Sequence, residues 1–238
     1  MTSRRFIADE YSADRAALIG EHADHLVRVL RVRIGQEFDI AAGSTVRRGK
    51  IVSVNGGRVE FDLGEEISAQ ALTEIILVLS IFKFDRMEWA IEKCTELGVA
   101  RILPTIARRT DAHLAAASAK RVERWQRIVR QASEQSRRAN PPQIAAPAQL
   151  SEILNLQSAL RIVLSESEDQ TLLRDAVTSN AAGGVLLAIG PEGGWAAEEL
   201  QSFQQAGWTS ASLGNTILRA ETAAIAATAI VSSALFSL

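Results

Sequence analysis

The chain has 238 residues, 47% of them hydrophobic and 23% charged, with a formal net charge of −2, an ordinary balance for a globular protein of one or two domains. Charged residues interrupt every apolar stretch that is long enough to span a bilayer, so we expect no membrane-spanning segment. We expect a cytoplasmic protein, because the N-terminus lacks the apolar core of a signal peptide and the single cysteine, Cys94, cannot form an internal disulfide.

The charge is unevenly distributed along the chain. Residues 101–140 contain 10 basic and 3 acidic residues, whereas residues 160–238 contain 3 basic and 8 acidic residues. Such asymmetry suggests a basic face for phosphates beside a mildly acidic body, although a solvated helix surface without a partner would give the same pattern.

Residues 1–70 are predicted to form a small β-barrel. Strands at 50–54 and 58–63 with the turn 55–57 predict a β-hairpin, and further short strands close by favour a barrel. His22 and His25 have no cysteine or further histidine nearby, so we expect polar surface roles and no metal site. The small, polar residues 64–74 are predicted to form a linker.

From Ile75 the pattern changes to strands that alternate with helices, which predicts an α/β domain with a mainly parallel sheet. Strands are predicted at 75–82, 99–106, 160–164, 185–189 and 211–213. Helices are predicted at 86–97, 118–139 and 171–178, from 196 onward, and at 221–235. Gly98 is the expected C′ residue of the first helix. The last helix is apolar nearly all round, so it should be buried in the core or against a second subunit.

Two glycine turns mark the expected ligand site. Within residues 184–195 a buried strand passes through Gly-Pro-Glu-Gly-Gly into a helix, and within residues 212–223 another strand passes through Leu-Gly-Asn into a helix. Glycine leaves main-chain groups uncovered, so a ligand can lie directly on the backbone, and we expect Gly193→Val to abolish ligand binding. Because ligands of α/β sheets bind beyond the carboxyl ends of the strands, both turns should share one crevice.

Signatures of several common enzyme classes are absent. The sequence contains no GxGxxG dinucleotide fingerprint, no P-loop, no GxSxG elbow and no Cys/His metal spacing. Without these signatures, the sequence favours a cofactor that is held by main-chain groups and apolar walls. Arg219 and Glu221 are expected to face the same crevice. For the Gly-Pro-Glu-Gly-Gly segment taken alone, a plain turn is the alternative interpretation.

Several motifs along nearly the whole chain match one known family. In these motifs the chain resembles the RsmE family of the SPOUT methyltransferases, which methylate N3 of a uridine in 16S ribosomal RNA. The matching segments are residues 25–31, 86–98, 124–138 and 189–194, and residues 213–214 together with 217–223. Two residues depart from the family pattern. Thr216 stands where an arginine is frequent, and Ala42 stands before Gly43 where an aspartate is common.

The resemblance implies two domains. Residues 1–70 would be a PUA-like β-barrel that binds RNA, and residues 75–238 a SPOUT methyltransferase domain, an α/β fold whose mainly parallel sheet contains a trefoil knot. The implied cofactor is S-adenosylmethionine, bound in the knot, and no metal is implied. The implied substrate is 16S rRNA within an assembled small ribosomal subunit, and the implied assembly is a homodimer.

The matched motifs and the basic residues carry the expected roles. Cofactor binding is expected at Leu164, Ile189, Gly190, Pro191, Glu192, Gly193, Gly194, Leu213, Gly214, Ile217, Leu218, Arg219, Thr222 and Ala223. RNA contacts are expected at Arg5, His25, Arg28, Arg31, Arg86, Arg109, Arg137 and Arg138. Arg219 and Glu221 are the expected catalytic residues.

The chemistry requires little besides positioning, because the sulfonium methyl group is already activated and has to lie in line with N3. Uridine N3 carries a proton at neutral pH, and a base, or a cation near O2 or O4, would help that proton to leave. Arg219 is the candidate cation, and Glu221 is the candidate for orienting Arg219 or accepting the proton. The alternative is a structural ion pair between them at the helix start.

Two other functions stay open. One is a SPOUT enzyme that methylates a ribose or another base, which the full-length resemblance disfavours. The other is an RNA-binding ribosome-assembly factor that has lost catalysis. The intact glycines of both turns, together with Arg219, argue against such a loss.

Overall fold

The structure is a computed structural model that describes residues 4–43, 45–67, 74–177 and 183–236. The described chain divides into two compact units. The N-terminal unit contains the residues up to Ile67 together with residues 133–141, and the C-terminal unit contains residues 74–132 and the residues from 142 onward. No helix in the described part of the chain has the length and apolar character needed to cross a membrane.

A six-stranded sheet forms the N-terminal unit. Its strands are β1 (Arg5–Ile7), β2 (Glu10–Tyr11), β3 (Arg15–Ile19), β4 (Glu37–Ala42), β5 (Thr45–Asn55) and β6 (Arg58–Ile67). They lie in the order β1-β4-β5-β6-β3-β2, and β1 and β4 form the one parallel pair among them. Helix α1 (Glu21–Asp24) continues directly into a π-helical turn at His25–Val29.

The predicted hairpin is confirmed, and its second strand is longer than predicted. Asn55 pairs with Arg58 around a two-residue turn whose glycines have positive φ. Val46 pairs with Ile67, so residues 64–67 belong to β6 and the predicted linker is wrong over that range. Glu65 and Glu66 are polar and exposed at this end of the strand, and polarity alone does not distinguish an exposed strand from a linker. Residues 68–73 lie outside the described residues.

The C-terminal unit is built on a seven-stranded sheet in which every described strand pair is parallel. Its strands are β7 (Ile75–Ser80), β8 (Arg101–Ile106), β9 (Gln143–Ile144), β10 (Ala148–Gln149), β11 (Leu160–Leu164), β12 (Val185–Ile189) and β13 (Thr209–Ala211). The order is β10-β8-β7-β12-β11-β13, with β9 also paired to β8. The predicted strands are present, although the last one ends at Ala211 and Ser212 forms only an isolated bridge.

Seven helices of the described chain follow α1. They are α2 (Phe84–Glu96), α3 (Ala112–Ser118), α4 (Val122–Gln135), α5 (Leu150–Ile153), α6 (Leu173–Ala176), α7 (Ala197–Gln205) and α8 (Ala220–Phe236). The expected C′ role of Gly98 is confirmed by its φ of 103°. Helix α6 is shorter than predicted, because Leu172 already bridges to Ser212. Thr178, at the end of that prediction, lies outside the described residues.

The single helix predicted at 118–139 is wrong at both ends. A 3₁₀ turn separates α3 from α4, and α4 ends at Gln135. The amide of Arg137 donates to Glu134 O, the amide of Arg138 donates to Ser133 O at 2.9 Å, and Arg137 has a φ of 60°. This pattern is a Schellman motif with an arginine in the left-handed position that glycine usually occupies, so the helix is closed before the two prolines.

Helix α8 buries one face in the core of its own unit. Ala224, Ala227 and Val231 are fully buried and belong to the same cluster as Met87 and Cys94 of α2. Small side chains let the two helices approach closely, and the Thr228 hydroxyl donates to Cys94 Sγ at 3.4 Å. The predicted burial of this helix in the core is therefore confirmed for that face.

Candidate functional site

A cleft of about 310 Å³ lies beyond the carboxyl ends of three adjacent strands, β12, β11 and β13. The loops that follow these strands and the start of α8 form its walls. The lining residues are Arg109, Leu164, Ser165, Glu166, Ser167, Ile189, Gly190, Pro191, Glu192, Gly194, Trp195, Ala197, Leu200, Ser212, Leu213, Gly214, Thr216, Ile217, Leu218, Ala220 and Ala223. Both glycine turns contribute, so the expected shared crevice is present.

The turn after β12 is tight, and its three glycines have different surroundings. Gly194 donates to Pro191 O at 2.8 Å and has a φ of 68°, a conformation that L side chains rarely adopt. A Cβ on Gly190 would lie 3.2 Å from Trp195 Nε1. A Cβ on Gly193 would make only ordinary contact with Arg109, at 3.5 Å or more. Gly193 is not among the lining residues, and the expected effect of Gly193→Val stays a prediction.

A stack of buried aromatic rings supports this wall. The rings of Trp195 and Phe203 pack edge to face at 4.9 Å, and Phe203 packs in the same way against Trp208 at 5.0 Å. The indole nitrogen of Trp195 is buried and has no hydrogen-bond partner among the described residues. Trp195 is therefore a rigid apolar part of the cleft wall, and sequence analysis did not select it.

The loop after β11 is the part of the site that sequence analysis missed. Ser165, Glu166 and Ser167 all line the cleft, and the two serine hydroxyls lie 2.8 Å apart. The Glu166 carboxylate is exposed and close to Gly194, whose Cβ would lie 2.9 Å from Oε1. The signal that could have found them is positional, because they follow a buried strand as the two glycine turns do.

The loop after β8 closes over the glycine turn. Arg109 lines the cleft, and its Nη1 donates to Gly193 O at 2.6 Å. Next to it, the amide of Arg108 donates to the buried carboxylate of Glu199 at 2.8 Å, and the same carboxylate accepts from Ala196 N at 2.8 Å. Arg109, predicted as an RNA contact, therefore lies at the predicted cofactor cleft.

Of the predicted cofactor residues, 11 line the cleft: Leu164, Ile189, Gly190, Pro191, Glu192, Gly194, Leu213, Gly214, Ile217, Leu218 and Ala223. Gly193, Arg219 and Thr222 do not. Thr222 lies in a separate groove between α2 and α8, with Trp89 and Ile225. No group of His, Cys, Asp and Glu side chains within the described residues could hold a metal ion.

Arg219 and Glu221 do not share an environment. The Arg219 side chain is exposed, and in the described part of the chain it has no hydrogen-bond or ion-pair partner. Glu221 is only 4% exposed and its Oε1 lies 3.9 Å from Arg86 Nε. The expectation that Glu221 orients Arg219, and the alternative of a helix-start ion pair between them, are both wrong in this structure, because Glu221 faces Arg86 instead.

Arg86 itself contacts two carboxylates. Its Nη1 donates to Glu192 Oε1 at 2.9 Å, and its Nε is the atom close to Glu221. Its side chain is 31% exposed. The predicted RNA contact at Arg86 therefore corresponds to a guanidinium that is already engaged within the C-terminal unit.

The other predicted RNA contacts lie in the N-terminal unit. His25, Arg28 and Arg31 are exposed on the π-helical turn and just after it, and Arg31 has a φ of 50°. Exposed Val29, at 63%, lies in the same segment. This segment therefore presents charged and apolar groups together on the surface.

The remaining three predicted RNA contacts, Arg5, Arg137 and Arg138, differ in their exposure. Arg5 lies 3.9 Å from Asp39, and its Nη1 donates to the carbonyl of Arg137. The Arg137 side chain is exposed. Arg138 is half-buried, and this burial lowers its pKa to about 10.

The chain is similar to known RNA methyltransferases. A family model described as an RNA methyltransferase domain matches residues 69–232. The ribosomal RNA small subunit methyltransferase E of Synechocystis sp. is 32% identical over 90% of this chain and 71% of that protein, and that of Mycobacterium bovis is 30% identical over 89% and 84%.

Two solved structures are similar over 98% of both chains. A crystal structure of ribosomal RNA small subunit methyltransferase E from Neisseria gonorrhoeae, bound to S-adenosyl methionine, has a TM-score of 0.86 and 30% sequence identity. A putative methyltransferase from Legionella pneumophila, in complex with the cofactor SAM, has a TM-score of 0.86 and 28% identity. The likeness confirms the predicted α/β fold class.

Proposed function

The chain belongs to the ribosomal RNA small subunit methyltransferase E family, and from that premise we propose that it transfers the methyl group of S-adenosylmethionine to N3 of a uridine in 16S rRNA. The observation that carries the proposal is the cleft, because main chain from two glycine turns meets there beyond three adjacent parallel strands. A volume of about 310 Å³ is within the range of small-molecule sites.

The lining groups fit the chemistry of this cofactor. Leu164, Ile189 and Leu213 offer apolar surface to an adenine ring, and uncovered glycine main chain offers hydrogen bonds to its edge. The cofactor carries a carboxylate, an ammonium group and ribose hydroxyls. Among the lining residues, the Arg109 guanidinium is suited to the carboxylate, and the Glu166 carboxylate to the ammonium group or the hydroxyls.

When bound, the cofactor supplies an activated methyl group. We assign stabilisation of the negative charge on the uracil, as N3 loses its proton, to Arg219. Its guanidinium is exposed without a partner among the described residues, and it directly follows Leu218, which lines the cleft. Glu221 is buried and faces Arg86, so we do not assign it the role of proton acceptor.

The test of the reaction has two parts. Calorimetry of the purified protein with S-adenosylmethionine should show binding, and nucleoside mass spectrometry of 16S rRNA from a deletion strain should show loss of one N3-methyluridine. Loss of a ribose methylation or of another base methylation would contradict the proposed position. Binding without any loss of methylation would favour the assembly factor that has lost catalysis.

The test of Arg219 is kinetic. Arg219→Lys should lower turnover by about 10²–10³ if the planar guanidinium stabilises developing charge, with affinity for the cofactor unchanged. A raised KM for the cofactor with normal turnover would instead place Arg219 in ground-state binding.

We propose that RNA is held by the exposed basic groups of the N-terminal unit, which we take to be PUA-like. Arg28→Ala and Arg137→Ala should each weaken RNA binding and reduce the slope of log affinity against log salt by about 1. Affinity for the cofactor should not change. Binding of RNA that does not depend on salt would refute this placement.

The remaining features proposed from the family are a trefoil knot in the C-terminal unit, a homodimer in the cytoplasm, and an assembled small subunit as substrate. Alanines lie on most faces of α8, which permits close approach of a second copy at this helix. Sedimentation at micromolar concentration that shows only a 25.7 kDa species would contradict the dimer.

A further inference from the structure

The guanidinium of Arg86 contacts carboxylates on two segments that form the cleft. Arg86 lies in the first turn of α2 and donates from Nη1 to Glu192 Oε1 at 2.9 Å, while its Nε lies 3.9 Å from Glu221 Oε1. Glu192 belongs to the glycine turn after β12, and Glu221 belongs to the first turn of α8. These two segments are far apart in sequence and form facing parts of the same site.

The two carboxylates differ in their exposure to water. The Glu192 side chain is 36% exposed, whereas that of Glu221 is 5% exposed and its Oε2 is buried without a hydrogen-bond partner in the described part of the chain. Removing the partner of a buried charge is strongly destabilising, because the remaining charge is left uncompensated in a medium of low dielectric constant. Within the described residues Arg86 is the one ion-pair partner of Glu221.

Both carboxylates belong to segments that line the cleft. Glu192 itself lines it, and so do Ala220 and Ala223, which flank Glu221 on α8. A guanidinium can hold two carboxylates at fixed positions because its donors form a rigid planar fork. Arg86 therefore connects the glycine turn with the start of α8.

We propose that Arg86 is a positioning residue for methyl transfer, which fixes the spacing of the two walls between which the cofactor lies. This role replaces the RNA contact predicted for Arg86 from the sequence. It rests on the proposed function, in that S-adenosylmethionine is the ligand of this cleft.

The test compares Arg86→Gln with a matched control on the same helix. Lys93 also contacts two carboxylates, Glu92 at 2.7 Å and Glu96 at 2.8 Å, and its side chain is 33% exposed, but all three residues belong to α2 and none lines the cleft. Arg86→Gln should weaken S-adenosylmethionine binding about 10- to 100-fold, the effect of losing one hydrogen bond between charged groups. Lys93→Gln should leave that affinity unchanged.

A kinetic separation distinguishes positioning from general damage to the fold. Arg86→Gln should raise the KM for the cofactor more than it lowers kcat. It should leave RNA affinity within about twofold of the wild type, a change of less than about 1.4 kcal/mol in binding free energy. Arg86→Lys keeps the charge without the fork, so it should recover part of the affinity.

A second variant covers the case in which Arg86→Gln fails to fold. The double variant Arg86→Gln with Glu221→Gln removes the uncompensated buried charge, so it should fold while still lacking the link to Glu192. Its cofactor affinity should remain low, and wild-type affinity in this folded variant would overturn the inference. Weakened RNA binding with normal cofactor affinity in Arg86→Gln would also overturn it, whereas a wild-type protein that does not bind S-adenosylmethionine would overturn the proposed function itself.

Discussion

Gly190 is the position where the smallest addition should have the largest effect on the cleft. In Gly190→Ala the new Cβ would lie 3.2 Å from Trp195 Nε1, 3.3 Å from Cδ1 and 3.4 Å from Cε2, closer than most real Cβ contacts. The indole ring has little room to move away, because Trp195 is 6% exposed and packs edge to face on Phe203, which is fully buried.

Overpacking of this kind typically costs about 1–3 kcal/mol. Because Gly190 and Trp195 both line the cleft, the strain also displaces the surface that receives the ligand. We expect Gly190→Ala to lower the midpoint of urea unfolding and to weaken S-adenosylmethionine binding by at least about tenfold, which corresponds to 1.4 kcal/mol. Calorimetry gives the affinity, and the difference in tryptophan emission between Gly190→Ala and the wild type reports a shift of the Trp195 ring.

The other two glycines of the turn are internal controls. Gly193→Ala adds a Cβ at 3.5 Å from Arg109 Cδ, an ordinary contact, so its stability should change by less than about 0.5 kcal/mol. Gly194→Ala places an L residue at a φ of 68° and should cost about 1–2 kcal/mol, while the Glu166 carboxylate at 2.9 Å can rotate away. Equal loss of affinity in the Gly190 and Gly193 variants would refute this account.

Three further outcomes are expected in unfolding experiments. Burial raises the pKa of Cys94 from 9.0 to about 12, so stability that is present below pH 9 is lost as the pH rises toward 12. The loss should be roughly 1.4 kcal/mol between pH 8 and 10, and Cys94→Ala should abolish it. Glu199→Ala leaves the amides of Arg108 and Ala196 without their acceptor and should cost about 2–6 kcal/mol in urea unfolding, with a smaller loss in Glu199→Gln. Phe203→Ala should cost about 3–5 kcal/mol and reduce the near-ultraviolet circular dichroism of the neighbouring tryptophans.

The sheet of the C-terminal unit could be predicted because its strands carry a strong local signal. β7 and β12 are nearly continuous apolar runs, and their alternate side chains pack into two different hydrophobic clusters, so nearly every side chain is buried. The separate helix α3 was missed although it has a clear start, since the Asp111 side chain accepts hydrogen bonds from His113 N and Leu114 N. An aspartate N-cap is a sequence signal that predicts the start of a helix. An arginine in a left-handed conformation, as at the end of α4, is not predicted by its residue type.

The two glycine turns of the site could be predicted from the sequence, but the loop after β11 could not, because its place in the site depends on the order of the strands in the sheet. Each glycine turn is visible in its own segment, but nothing local shows that β11 lies between β12 and β13, so Ser165–Ser167 were missed. The pairing of Arg219 with Glu221 failed because residues two apart at a helix start do not face each other. The contact of Glu221 with Arg86 depends on how α2 packs against α8, which no local pattern contains.

The position of β12 within its sheet has a consequence for the synthesis of the protein. β7 is completed at Ser80, yet its partner on one side, β12, begins only at Val185. At about 5–20 residues per second, roughly 5–20 s pass before that partner is translated. During this interval the edge of β7, with its Ile-Ile-Leu-Val-Leu sequence, offers unpaired main-chain groups and apolar side chains to other nascent chains. Pairing with β12, the strand that leads into the glycine turn of the cleft, covers this edge, and the ligand site cannot form before the edge is covered.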